Sequence, residues 1–181
     1  MSKALIVYGT RYGAAASTSQ EIADILRQKG IEVDVVNAKE QKIKEISQYA
    51  LVIVGSGIQM NRWTSEPEQF LKNHRKELAN KQVALFVCCG SATDKTKPEL
   101  AEKARRKYLE EKAAKYQLHP VALGLFGGVY NFNKVPWYAK KAMDAEKPKI
   151  AAAYKETQPG IYDTRDLNAI RIWTEELGKK V

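Results

Sequence analysis

This chain is poor in the side chains that most hydrolytic and metal-dependent chemistry needs. Its 181 residues hold two cysteines, Cys88 and Cys89, and two histidines, His74 and His119. Two adjacent cysteines cannot build a disulfide framework, and a reducing cytoplasm is the compartment expected. His74 lies in the charged run His-Arg-Lys-Glu and reads as a solvated side chain. His119 stands before Pro120 at a strand start and reads as structural. No Ser-His-Asp or Cys-His nucleophile can be assembled from so few partners. Zinc-finger spacing and aromatic RNA-binding motifs are also missing, so nucleic acid is not an expected partner. No apolar run reaches the roughly 18 residues of a transmembrane helix. The N-terminus lacks a basic head with an apolar core, so no secretory signal is expected. Acids are the minority charge, 21 against 30 Lys and Arg, for a net charge of +9. That excess either spreads over the surface as a solubility device or meets an anionic partner: a carboxylate-bearing substrate or an anionic membrane face.

Hydrophobic residues make up 44% of the chain, enough for one domain over residues 1–181 with a sizeable core. Apolar runs at residues 4–8, 32–37, 51–55, 83–89 and 121–126 read as strands. Several are continuously apolar, as expected when both sheet faces are covered. Amphipathic stretches lie between them. Ile22, Ile25 and Leu26 form an inward stripe that Gly30 ends. Ile43, Ile46 and Tyr49 suggest a short helix. Pro67 opens another, with Phe70, Leu71 and Leu78 inward, and Pro98 a longer one, with Leu100, Ala104 and Tyr108 inward. The last helix runs from about Asp166, with Ala169, Ile170, Trp173 and Leu177 on one face. This alternation predicts an α/β fold: a doubly wound, five-stranded parallel sheet of order 2-1-3-4-5. One segment breaks the rhythm. Residues 127–165 intervene between the last strand and the last helix, with Tyr130, Phe132, Trp137 and Tyr138 among lysines. From Lys134 to Lys155 six lysines oppose Asp144 and Glu146. Such an insertion suits an interface, or an extra helix on the sheet edge.

The strongest local signal is the segment 8–18, Tyr-Gly-Thr-Arg-Tyr-Gly-Ala-Ala-Ala-Ser-Thr, which follows the first strand. A strand that ends in glycines and hydroxyls and then starts a helix is an anion site. Glycine lets the backbone turn and approach, and the first helical N–H groups point outward unpaired. A Walker loop needs Gly-Lys-Ser/Thr and a dinucleotide fingerprint needs Gly-x-Gly-x-x-Gly; neither is present. A single terminal phosphate fits better. Two more loops share that rim, because parallel strands end on one side: residues 55–63, with Met60 and Trp63 to flank a flat ring, and residues 88–93. A phosphate pocket beside an aromatic slot describes FMN better than a nucleoside triphosphate.

On Thr10-Arg11-Tyr12-Gly13, Gly55-Ser56-Gly57-Ile58, the Trp137-Tyr138 insertion, Asp163-Thr164-Arg165-Asp166 and Trp173, the chain resembles the flavodoxin-like FMN proteins over nearly its whole length. More narrowly it resembles the flavodoxin-fold protoporphyrinogen dehydrogenase group and its archaeal relatives. The resemblance implies one noncovalent FMN per chain. It implies phosphate held by Thr10, Arg11 and Gly13 with the hydroxyls Ser17 and Thr18, in a loop lengthened by Ala14, Ala15 and Ala16. It implies the ring between the second and third loops. The candidate contacts are then Tyr12 and Ala14 beside the phosphate, Ser56, Gly57, Ile58, Gln59 and Met60 in the second loop, and Cys89, Gly90 and Ser91 in the third. The peptide near Gly57 is the one expected to answer the flavin N5. Cys88 and Cys89 read as packing residues before redox thiols.

The expected function is an FMN-dependent oxidoreductase that passes electrons from an anionic organic substrate, a porphyrinogen being the named example, to an acceptor such as a quinone. The alternative is an electron carrier between redox partner proteins, and a third reading is a scaffold that has lost its flavin. No protein acid–base group is obligatory in any of these. The expected location is cytoplasmic, with peripheral contact at the membrane's cytoplasmic face. The insertion is expected to govern substrate or membrane contact and to leave FMN binding alone.

Overall fold

The computed structural model describes residues 2–94 and 97–181, with the Ser91 side chain outside the described set. The strands are β1 (Lys3–Gly9), β2 (Glu32–Asn37), β3 (Leu51–Gln59), β4 (Arg62–Trp63), β5 (Gln82–Cys88) and β6 (Ala122–Phe126). The main sheet runs β2-β1-β3-β5-β6, all parallel, with short β4 antiparallel on the end of β3. Leaving out β4, this is the expected 2-1-3-4-5 order.

Period-two alternation divides the core. Leu5, Val7, Val52, Val54, Leu85 and Val87 face Phe70, Leu71, Tyr108 and Leu109 on one side. Ala4, Ile6, Ile53, Ala84 and Phe86 face Ile22, Leu26, Ile170 and Leu177 on the other. Helix α1 (Ala14–Gln28) and the C-terminal α7 (Leu167–Gly178) cover the second face. Gly30 ends α1 at φ +82, with its N–H on the Arg27 carbonyl and the Ile31 N–H on that of Leu26. That pair of hydrogen bonds is the glycine stop the stripe predicts. Asp166 caps α7 through the Ala169 N–H. Ala169, expected inward, is exposed.

The first face is less regular. Helix α2 (Ser65–Asn73) and the single turn α3 (Arg75–Leu78) are separate, joined at His74. Helix α4 (Pro98–Arg105) passes through a π turn at Arg106–Glu110 into α5 (Glu111–Lys115). The expected helix around Ile43, Ile46 and Tyr49 does not form. Partners outside the segment take its polar groups. His74 Nε2 meets the Ile43 carbonyl at 3.0 Å, Lys81 Nζ donates to the Ser47 and Tyr49 carbonyls, and the Tyr49 hydroxyl donates to Asp34. A short helix is marginal alone, and these bonds replace its ladder. The same contact corrects the reading of His74, which is buried rather than solvated, with Nδ1 3.0 Å from Glu77 Oε1.

The insertion folds into β7 (Val129–Asn131), α6 (Trp137–Ala153), β8 (Glu156–Gln158) and β9 (Ile161–Asp163). The three strands pair antiparallel as β7-β9-β8. Its two ends are pinned together, since the Thr164 N–H and hydroxyl donate to the Gly128 carbonyl and the Gly128 N–H returns to the hydroxyl. Helix α6 is mostly exposed and buries Ile150; Trp137 is 87% exposed. Among the described residues no helix is long and apolar enough to cross a membrane.

Candidate functional site

The carboxyl ends of β1, β3 and β5 meet at a cavity of about 240 Å³. Its floor begins with the first loop, which is shorter than expected. Ala14 to Ala16 are the opening turn of α1, so the loop is only residues 10–13. Gly13 turns it at φ +93, a left-handed conformation that side chains resist. The Gly13 N–H donates to Thr10 Oγ1 at 2.9 Å, which leaves the Thr10 hydroxyl proton to face a ligand. No acidic residue occupies the first turn of α1. Its unpaired N–H groups and partial positive charge therefore stay open to an anion. Thr10, Arg11, Tyr12 and Ala14 line the cavity, and the Arg11 guanidinium lies 3.8 Å from Glu66.

The hydroxyls further along are differently engaged. Ser17 is exposed; its Oγ donates to the Gly13 carbonyl at 2.9 Å and accepts from Arg165 at 2.6 Å. Thr18 is fully buried and does not reach the cavity, its Oγ1 meeting Cys88 Sγ and Arg165. Both hydroxyls meet one atom, Arg165 Nη1, and neither residue lines the cavity.

The second loop is the extended end of β3, closed by a two-residue hairpin. Met60 at φ +48 and Asn61 at φ +59 form its left-handed tip. Tyr108 donates its hydroxyl to Asn61 Oδ1, and the wide π turn presents the Tyr108 carbonyl to Trp63 Nε1 at 2.8 Å. Trp63 is therefore buried beneath the hairpin and does not line the cavity, contrary to the sequence expectation. Gly57, Ile58, Gln59 and Met60 do line it. Gln59 donates to the Tyr12 hydroxyl at 3.1 Å and so joins the first and second loops. Ser56 is fully buried behind the cavity, accepting from the Thr64 N–H and donating to the Gly57 carbonyl.

The third loop contributes Cys88 and Gly90. The expected Cys89 is buried on the opposite sheet face, where it joins the Leu5–Val87 core, because strand residues alternate. Burial pushes the Cys88 thiol up to about 12, against the weaker pull of Thr18 and Arg165, a direction that favours the protonated thiol. The side chain of Ser91 lies outside the described residues. Gly90 is required by a neighbour, since a Cβ there would fall 2.0 Å from the Tyr130 hydroxyl oxygen. Tyr130 presses onto this loop, and burial raises its phenol to about 12.

Tyr130 belongs to the insertion, as do Val129, Val135, Pro136, Tyr138 and Met143, which complete the wall. The insertion, expected to govern substrate or membrane contact and to leave FMN binding alone, thus supplies part of the wall of the same cavity. The aromatic content of the segment was the signal available. Nothing in the linear order said that β7 would pair with β9 and turn α6 over the rim. Among the described residues no cluster of three or more ligating side chains could hold a metal.

A family model for the flavodoxin domain matches residues 5–157, most of the chain and every strand of the main sheet. The chain belongs to the flavodoxin-domain family. Among solved structures, this flavodoxin-domain chain is similar to a short-chain flavodoxin associated with a PDU bacterial microcompartment, at a TM-score of 0.60 and 12% identity over 99% of both chains. It is also similar to a flavodoxin of Streptococcus pneumoniae, at 0.56 and 13% identity over 99% of this chain and 100% of that one. Among curated proteins it is similar to protoporphyrinogen IX dehydrogenase [quinone] of Escherichia coli K12, 24% identical over 136 residues, covering 75% of this chain and 74% of that one.

Proposed function

We propose that this flavodoxin-domain protein binds FMN in the three-loop cavity and works as an oxidoreductase on an anionic organic substrate of the protoporphyrinogen kind, with a quinone-type acceptor. The observation that carries the reading is one cavity bounded by an anion-ready helix start and an apolar slot, roofed by an insertion rich in aromatics and lysines. The residues fit the group. The Thr10 hydroxyl, Arg11 and the first N–H groups of α1 hold a terminal phosphate. Ile58, Met60, Tyr130 and Tyr138 offer flat apolar walls. At Gly57 an added Cβ meets nothing nearer than the Gly9 carbonyl oxygen at 3.9 Å, so the backbone is open to close approach. When bound, the flavin supplies the electron chemistry, and the protein supplies binding, orientation and exclusion of water. The similarity to the E. coli dehydrogenase supports the substrate class.

The test begins with the visible spectrum and an FMN titration of the purified protein. One equivalent of FMN quenched on binding is expected; a colourless protein that takes up none refutes the reading. Arg11→Ala is expected to weaken FMN about tenfold and riboflavin hardly at all, because a charged hydrogen bond contributes about 1.5–3 kcal/mol. Replacing the exposed Lys134, Lys140 and Lys141 with Ser is expected to lower protoporphyrinogen turnover, more so at low salt, with the flavin spectrum unchanged. A second reading, electron transfer between protein partners, is favoured by the 65% exposure of Met60 at the cavity rim. Electron transfer to a partner protein without porphyrinogen turnover would select it.

A further inference from the structure

One side chain ties the return of the insertion to the start of α1. Arg165 lies two residues beyond Asp163, the last residue of β9, and its side chain is 10% exposed. Its guanidinium grips the Asp163 carboxylate, with Nη2 2.6 Å from Oδ2 and Nε 3.0 Å from Oδ1. The remaining arm, Nη1, turns onto the first turn of α1. It lies 2.6 Å from Ser17 Oγ, 3.3 Å from Thr18 Oγ1 and 3.5 Å from the Ala14 carbonyl.

The direction of these bonds matters. A guanidinium only donates. Ser17 Oγ therefore accepts from Arg165 and gives its own proton to the Gly13 carbonyl, which also receives the Ser17 N–H at 3.0 Å. The Gly13 N–H in turn fixes Thr10 Oγ1. A continuous run of hydrogen bonds thus leads from Asp163 through Arg165, Ser17 and Gly13 to Thr10.

We propose that Arg165 is the positioning residue of the phosphate loop, acting from the far end of the insertion through Ser17 and Gly13 on Thr10. Ser17 is then a relay whose proton is turned away from the ligand. The proposal rests on the reading that this loop holds the phosphate of FMN. Asp163 neutralises most of the Arg165 charge, so the effect is one of placement more than of bare attraction.

The experiment measures dissociation constants of FMN and riboflavin by flavin fluorescence quenching, on the full chain. Arg165→Gln is expected to weaken FMN about tenfold and riboflavin less than about twofold, since only FMN carries the charged acceptor. Arg165→Lys keeps a charge but not the fork, and is expected to restore only part of the loss. Ser17→Ala should weaken FMN by itself and add nothing further in the Arg165→Gln background, because both cut one relay. Additive losses would mean that Ser17 touches the phosphate directly, and the relay is then wrong. Equal losses for FMN and riboflavin would make Arg165 merely structural. Asp163→Asn serves if Arg165→Gln does not fold. Freeing the fork weakens FMN if Arg165 works by placement, whereas tighter binding overturns the proposal. Wild-type protein that binds riboflavin and FMN equally refutes the phosphate reading itself, a result distinct from a silent Arg165 variant.

Discussion

Gly90→Ala tests whether the insertion is built into the cavity or only lies near it. The new methyl carbon would stand 2.0 Å from the Tyr130 hydroxyl oxygen, 2.5 Å from Cζ and 3.1 Å from Cε2. Carbon contacts settle near 3.5–4.0 Å, so the ring must retreat by roughly 1.5 Å. Tyr130 is poorly placed to do so. It sits in β7, paired with Tyr162 of β9, and stacks on Phe132 with ring centroids 6.5 Å apart. Overpacking of this kind costs about 1–3 kcal/mol. For a chain of this length that lowers Tm by about 2–4 °C per kcal/mol. The assay is urea and thermal unfolding of four proteins: the parent, Gly90→Ala, Tyr130→Ala and the double variant. Tyr130→Ala removes the colliding ring at its own cost of about 3–5 kcal/mol. In that background Gly90→Ala should be nearly neutral, giving a coupling of about 1–3 kcal/mol between the two sites. Gly90→Ala should also loosen FMN, because the displaced ring moves a cavity wall. Equal cost of Gly90→Ala in both backgrounds would refute the argument, as would a Gly90→Ala protein as stable as the parent.

Three other outcomes follow from single contacts. Glu68 is held down to about 2: burial works the other way, but Lys112, Lys115 and Tyr116 all donate to one carboxylate oxygen. Its stabilisation is present above the unfolded value near 4.3 and lost as pH falls toward 2, about 3 kcal/mol before screening and about 1–2 kcal/mol after it. Glu68→Gln should therefore cost stability at pH 7 in urea titrations and cost almost nothing near about pH 2; a cost independent of pH would refute the linkage. Cys88, with its thiol up at about 12, should resist iodoacetamide in the native protein and react only after unfolding; labelling of the folded chain, located by mass spectrometry, would refute its burial. Met60→Gly should raise stability by about 0.5–1 kcal/mol, because a left-handed L-residue costs about 1–2 kcal/mol; an unchanged or lower urea midpoint would mean that Met60 packing outweighs the strain.

By itself the sequence determined whatever depends on local pattern. Continuous apolar runs marked the five parallel strands, because a strand covered on both faces has no polar side to show. Gly30 and Asp166 marked helix ends through backbone geometry and capping, which act within a few residues. The first loop was legible because glycine followed by a helix start is a local arrangement. Side-chain direction was not. Cys88 and Cys89 differ by one residue, yet strand alternation sends one to the cavity side and the other into the opposite core. Thr18 and Ser56 carried the right chemistry but turned inward, since Cys88, Arg165 and Thr64 were there to receive them. Trp63 left the slot for the carbonyl that the π turn at Tyr108 presents. The helix expected near Ile46 gave way to His74 and Lys81, each about 30 residues distant. Only the tertiary structure turned the insertion over the rim and brought Arg165 148 residues back to Ser17. Bonds across such separations depend on the whole sheet closing first, and no periodicity in the chain records them.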